Sequence, residues 1–297
     1  MKGLSKYNPK KNVSIFARQS RMDTRFWGPS GWRLLHMTTF QAPTLPTSSL
    51  QTFLTHLPYV LPCKYCRASL TDYYAADPIP KDASDMGEWM YRIHNRVSGK
   101  LREQKLLDTP DPKWTEIRDR YTTWSKAPCS TRRMVGWDFL FSIAYTTPSL
   151  TTRSSPMPSA PPEPPTPVLR NRWNLLSATE RYPYLERWWH SLEAVLPFDE
   201  WRTAWKQAIA AHGAPPVRKG RKAMIAWLYK MEKSVCSSLR ETQPHDSFNG
   251  LCSELSTFSS GCGKSKRSKT CRATKRHARL TLKKRRRHQY RATGGYL

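Results

Sequence analysis

Proline spacing limits how this chain can fold more than any other feature. Pro43, Pro46, Pro78, Pro80, Pro110 and Pro112 cut the first half into pieces of helix length. A proline inside a helix removes a backbone hydrogen bond and clashes with the preceding turn, so these residues mark breaks. Between the breaks, apolar residues recur every three or four positions, which predicts helices over roughly 29–41, 48–58, 62–76, 84–105 and 113–126. The aromatic run WDFLFSIAYTTP at 137–148 should pack back on them. With no alternating strand pattern and no internal repeat, the expected class is all-α.

Composition then divides the chain. Residues 1–24 read as a flexible arm and 25–147 as a compact helical module. The stretch PSLTTRSSPMPSAPPEPPTP, 148–167, reads as an extended linker. A second helical segment is expected over 168–240. There Phe198, Trp201, Trp205 and Ile209 fall at near-helical spacing before Gly213, and Met224, Trp227, Leu228, Met231 and Val235 do so again. Aromatic stripes of this kind are core more often than ligand boxes. Residues 241–297 read as a disordered basic tail. Of the net charge of +28, half lies in 264–297, which has fourteen basic and no acidic residues. Such a tail attracts polyanions, so nucleic acid or an acidic partner is expected there, bound non-specifically and with strong salt dependence. The KKRRR run at 283–287 also suits a nuclear address. No apolar run approaches the length of a membrane span, and the first 22 residues lack the apolar core of a secretion signal. A mitochondrial presequence is the weaker alternative for this basic start.

Seven cysteines, an odd number with one close pair, do not make a secreted disulfide framework. The informative pair is Cys63–Cys66 in LPCKYC. A CxxC at a helix start has three physical readings: a dithiol that cycles with a disulfide, half of a zinc site, or two small buried hydrophobes. The zinc reading lacks a second pair of ligands, and a thioredoxin-like reading lacks the strand that delivers the motif. Cys236 sits on an apolar helical stripe and is expected to be packing. Cys129 and the tail cysteines are expected to be inert thiols.

Two further stretches supply flat rings and polar groups. WGPSGWRLLH sets Trp32 and His36 four apart, on one helix face. EWMYRIHNRVSGKLREQK carries His94 and Asn95, with Ser98 and Leu101 at helical spacing and Lys100 or Lys105 within reach of a phosphate. Trp114 follows after the next proline break. Each piece alone reads equally well as core or surface. In this order, Gly28, Trp32, Leu35, His36, then Cys63 and Cys66, then His94, Asn95, Val97, Ser98 and Leu101, they resemble the Erv/ALR family of FAD-dependent sulfhydryl oxidases. The WGP opening, the LPCxxC form and GWDFLFSIAY look most like members encoded by large DNA viruses.

That resemblance, covering about residues 25–147, implies a four-helix bundle with a short fifth helix enclosing FAD. It implies that Gly28, Trp32 and His36 line the cofactor opposite His94, Asn95, Val97, Ser98, Lys100 and Leu101, with Trp114 as a further wall. It implies oxidation of protein dithiols, with Cys63 exchanging with substrate and Cys66 passing electrons to FAD, then O2, giving H2O2. A homodimer formed through the bundle is also implied, and no metal. A viral member would work in the host cytoplasm or virion; the mitochondrial intermembrane space is the alternative. The pattern departs at Ser98, where the family has Asn, and at Arg102, Glu103 and Gln104, where many members have Gly-Lys-Pro. A cysteine common shortly after this stretch is absent, and the amino-terminal arm has none to form a shuttle disulfide. The rival expectation is a redox-inactive nucleic-acid-binding protein on the same fold.

Overall fold

The computed structural model describes residues 21–127, 133–148, 166–172, 175–177 and 179–260. The expected arm over 1–20, most of the expected linker, the basic run, and Cys129, Cys262 and Cys271 lie outside those residues.

The chain is all-α. The first half forms α1 (Thr24–Phe40), α2 (Thr47–Val60), α3 (Lys64–Ala76), α4 (Met86–Glu103), α5 (Trp114–Lys126) and α6 (Trp137–Thr146). The second half adds α7 (Pro167–Arg172), α8 (Tyr182–Val195), α9 (Asp199–His212), α10 (Gly220–Leu239) and α11 (Phe248–Phe258). A two-residue antiparallel pair, β1 (Arg21–Met22) with β2 (Ser259–Ser260), ties the start of α1 to the end of α11.

Helix boundaries follow local chemistry. The Asp23 side chain accepts from the Arg25 amide and caps α1, so this helix starts five residues earlier than the proline-based reading expects. Pro29 is accommodated inside it. Gly213 ends α9 at a positive φ of 76°, the conformation that favours glycine.

Two expected boundaries need correction. Residues 21–24 belong to the fold, because Met22 is buried and the Asp23 amide donates to the Phe258 carbonyl. Residues 241–260 are also folded rather than tail. Leu251 and Leu255 bury their side chains, Phe258 stacks on Phe26, and His245 bonds to Glu232 of α10. Composition over 241–297 is dominated by its far end, which masks this helix.

One hydrophobic core runs through both halves. The most extensive helix contact is α2 against α8, and α10 packs on both α9 and α6. Trp188 of α8 joins the halves, stacking on Phe53 of α2 and meeting Phe139 of α6 edge-on at 6.0 Å. Trp189, Trp205 and Trp227 continue this chain of edge-on rings, an arrangement that aromatic quadrupoles favour. The expected stripes of α9 and α10 are core: Trp201, Trp205, Met224, Leu228, Met231 and Val235 are all buried. So is Cys236, whose thiol burial pushes up to about 12, with Glu232 and Glu241 adding to the shift.

Gly136 sets how α6 enters the bundle. It precedes α6 at φ 102°, and a Cβ there would sit 2.8 Å from Leu34 of α1. Gly136→Ala should therefore destabilise the protein by about 1–3 kcal/mol, from strain and overpacking together. Trp188→Ala should cost about 3–5 kcal/mol. Urea unfolding of each variant against the unsubstituted chain checks both values.

Candidate functional site

The turn between α2 and α3 places the dithiol. Leu61 precedes Pro62 and takes the extended conformation that a following proline imposes. Cys63 then sits at the N-cap of α3 in extended backbone, and its Sγ accepts from the Cys66 amide at 3.4 Å. Cys63 Sγ therefore lies at the positive end of the α3 dipole, which favours a thiolate. Cys63 is only 3 % exposed, whereas Cys66 is half-buried. By access alone, the cysteine expected to meet substrate is the more enclosed one.

Cys66 lies on the stripe of α3 that faces α4. Ser69 and Tyr73 follow it at helical spacing, and both touch α4. Lys100 Nζ donates to Ser69 Oγ at 2.6 Å, and Tyr73 Oη donates to the Arg96 carbonyl at 3.4 Å. Lys100 is thus bonded to α3. Arg102 pairs with Asp111, and Glu103 points to solvent.

The ring cluster is built where α1, α4 and α5 meet. Trp32 stacks on His94 with centroids 3.8 Å apart and planes 11° from parallel. His36 Nε2 lies 2.9 Å from His94 Nδ1, so one imidazole donates to the other. Tyr121 of α5 stacks on both His36 and Phe40, at 5.1 and 5.2 Å. Trp114 completes the group against Phe40 and Tyr91. Of the expected residues, the fold brings Trp32, His36 and His94 into direct contact and joins Trp114 through Phe40. Ser98 is buried one turn beyond His94, while Asn95, Val97 and Leu101 are half-buried on α4. Gly28 lies two turns before His36, with open space where a Cβ would stand.

Phe40 and Tyr121 belong to the ring cluster, and the sequence reading missed them. A signal existed: Phe40 continues the Trp32–His36 spacing by one more turn, and Tyr121 shares a face with Trp114, two turns on. Tyr121 Oη is buried with no hydrogen-bond partner, and burial drives its pKa upward. Its ring is stacked within the cluster, and its phenol stays neutral at pH 7.

Both imidazoles are neutral at pH 7. Burial lowers the His36 pKa to about 3. Burial, then the proximity of His36, hold His94 well below its usual value. Among the described residues no group of three His, Cys, Asp or Glu is placed to hold a metal ion. No helix among them is long and apolar enough to cross a membrane.

With this geometry in view, residues 29–121 match the model of the Erv1/Alr family. That stretch contains the dithiol and the whole ring cluster, and it ends on Tyr121. A relative with 31% identity over 89 residues is the mitochondrial FAD-linked sulfhydryl oxidase ERV1 of Saccharomyces cerevisiae. The alignment covers 28% of this chain and 47% of the relative, so the chain spans about half the length of the curated protein it matches. No solved structure matches.

The neutral imidazoles make stability depend on pH. Their folded pKa values lie below the unfolded value of ~6.5, so the unfolded chain takes up protons first as pH falls. The His36 contribution is fully present above about 6.5 and is lost toward about 3, at up to ~1.4 kcal/mol per pH unit, and His94 acts in the same direction. A His36→Phe variant should show a shallower loss than the unsubstituted chain between pH 6.5 and 4 when both are unfolded in urea.

Proposed function

We propose that the chain is an Erv1/Alr-type thiol oxidase that forms disulfide bonds in protein substrates. One observation carries this reading: the Cys63–Cys66 pair opens α3, with Cys66 on the stripe facing the helix that bears His94-Asn95-Arg96-Val97-Ser98. The match of residues 29–121 to the family supports it. Oxidase chemistry would reside in 25–147, with 168–240 as a covering segment.

FAD is the proposed cofactor, and the ring cluster suits it chemically. Gly28, Trp32 and His36 of α1, with His94, Asn95, Val97, Ser98, Lys100 and Leu101 of α4 and Trp114 of α5, would hold it; Tyr121 joins this set. When bound, FAD supplies a two-electron acceptor that O2 can reoxidise, giving H2O2. The protein's part is exchange. A substrate thiolate attacks Cys63 Sγ of the Cys63–Cys66 disulfide, and Cys66 leaves as a thiolate toward α4. A second substrate thiol, losing its proton to solvent, displaces Cys63, so the substrate disulfide departs and two electrons remain on the cysteine pair. Such exchange depends on thiolate fraction and access. Because Cys63 is enclosed, this route requires the 61–63 turn to open.

A homodimer is part of the proposal, formed through faces other than the one α2 gives to α8. A viral origin, with work in a reducing cytoplasm or virion, is proposed from the sequence resemblance. The relative's mitochondrial name favours the intermembrane space as the alternative.

The purified protein should show flavin absorption and consume O2 with a dithiol. Cys66→Ser should keep the flavin and lose O2 consumption by at least about 100-fold. Given substrate already in its disulfide form, the Cys63 thiolate should attack it, release one substrate thiolate and stay trapped as a mixed disulfide. Trapping on Cys66 in a Cys63→Ser variant instead would reverse the two roles. A protein that cannot be reconstituted with FAD would favour the nucleic-acid-binding reading.

A further inference from the structure

The second half of the chain reaches the dithiol turn with a charge. Arg181 lies in a 3-10 turn over Thr179–Arg181, just before α8, and is 3 % exposed. Its Nε donates to the Tyr59 carbonyl at 3.0 Å. From the other side, Arg67 is also buried and sends Nη1 to the Leu61 carbonyl at 2.9 Å. Arg67 stands one helical turn beyond Cys63, its amide bonded to the Cys63 carbonyl at 3.0 Å. Two buried guanidiniums therefore bracket the Tyr59–Cys63 segment. They are close enough that Arg67, after burial, helps lower the pKa of Arg181, though a guanidinium stays protonated at neutral pH.

Capping of α2 accounts for only part of this arrangement. The carbonyls of its last turn lack intrahelical donors and welcome a cation. Yet Arg181 Nη2 is buried with no hydrogen-bond partner, and no carboxylate is paired with Arg181 among the described residues. A buried cation without a counter-charge is strongly unfavourable. The Cys63 thiol follows these carbonyls by two and four residues, itself enclosed at the N-terminus of α3. A thiolate there would also be costly to bury without a cation beside it.

We infer that Arg181 is a positioning residue of the dithiol site, its guanidinium acting with Arg67 to stabilise the Cys63 thiolate that exchange releases. The inference rests on the reading of Cys63–Cys66 as an exchanging pair. In the step concerned, the second substrate thiolate attacks the substrate sulfur of the mixed disulfide. The bond to Cys63 Sγ breaks, the substrate's own S–S bond forms, and the electron pair stays on Cys63. A lower pKa makes Cys63 a faster leaving group. The residue comes from outside the stretch matched to the family, so the second segment contributes to the chemistry as well as to the core.

The test uses the full chain and needs neither flavin nor O2. Reduced Cys66→Ser protein is alkylated with iodoacetamide across a pH series, and the rate at Cys63 is followed by mass spectrometry. The midpoint should lie below the ordinary ~8.5. It should rise by about one unit when Arg181→Gln is added and hold within about half a unit with Arg181→Lys. Without Cys66→Ser, Arg181→Gln should shift the glutathione equilibrium of the pair severalfold toward the disulfide at alkaline pH. A folded Arg181→Gln protein with an unmoved midpoint overturns the inference and leaves Arg181 as a cap on α2. Should that variant fail to fold, a midpoint at or above ~8.5 in the Cys66→Ser protein with Arg181 in place overturns it equally. A protein that shows the shift but takes up no flavin would sink the oxidase reading alone. A flavin-bearing oxidase with no shift would sink this inference alone.

Discussion

The end of α2 is where the demands of the fold and of the dithiol meet. Its last carbonyls must find donors outside the helix, and Pro62 forbids a simple continuation into α3. Arg67, Arg181 and Asn171 supply those donors, at Leu61, Tyr59 and Pro58 respectively. Asn171 also donates to Thr71, and Arg172 pairs with Asp72, so α7 is fastened to α3 by the same seam. The short turn that remains holds Cys63 as the N-cap of α3. The local environment of that cysteine is therefore set by Arg67 nearby together with Asn171 and Arg181, more than a hundred positions away.

The ring cluster follows a different logic. Trp32, His36, Phe40, His94, Trp114 and Tyr121 come from three helices and stack face to face or nearly so. Burial keeps both imidazoles neutral, so they offer directed donors and acceptors without a fixed charge. Two cations farther along α4 are engaged by other groups. Lys100 is bonded to Ser69 on α3, and Arg102 is engaged by Asp111. The cluster thus gathers flat, polarisable rings with a few hydrogen-bonding edges at the junction of three helices.

Much of this was legible along the chain, because helix periodicity and proline breaks are local signals. The five expected helices of the first half correspond to α1 through α5, and the expected aromatic run is α6. The spacing of Trp32 with His36 and of Cys63 with Cys66 was readable for the same reason. Phe40 and Tyr121 lie on faces the same periodicity marks, but their role appears only once α1 and α5 are seen to pack. Helix α11 was hidden because its sequence adjoins a strongly basic run. The order of exposure in the dithiol, with Cys63 the more enclosed, has no sequence signature at all.

What the sequence determined by itself was the set of helices, the apolar stripes that make them pack, and the chemical groups available to a site. These depend on neighbours three and four residues apart. Only the tertiary structure decided that α8 lies on α2, that the two histidines meet, and that Arg181 stands beside the Cys63 turn. Such contacts arise when separate apolar faces bury against one another in one core. Which faces meet depends on the shape of every helix at once, and no window along the chain contains that information.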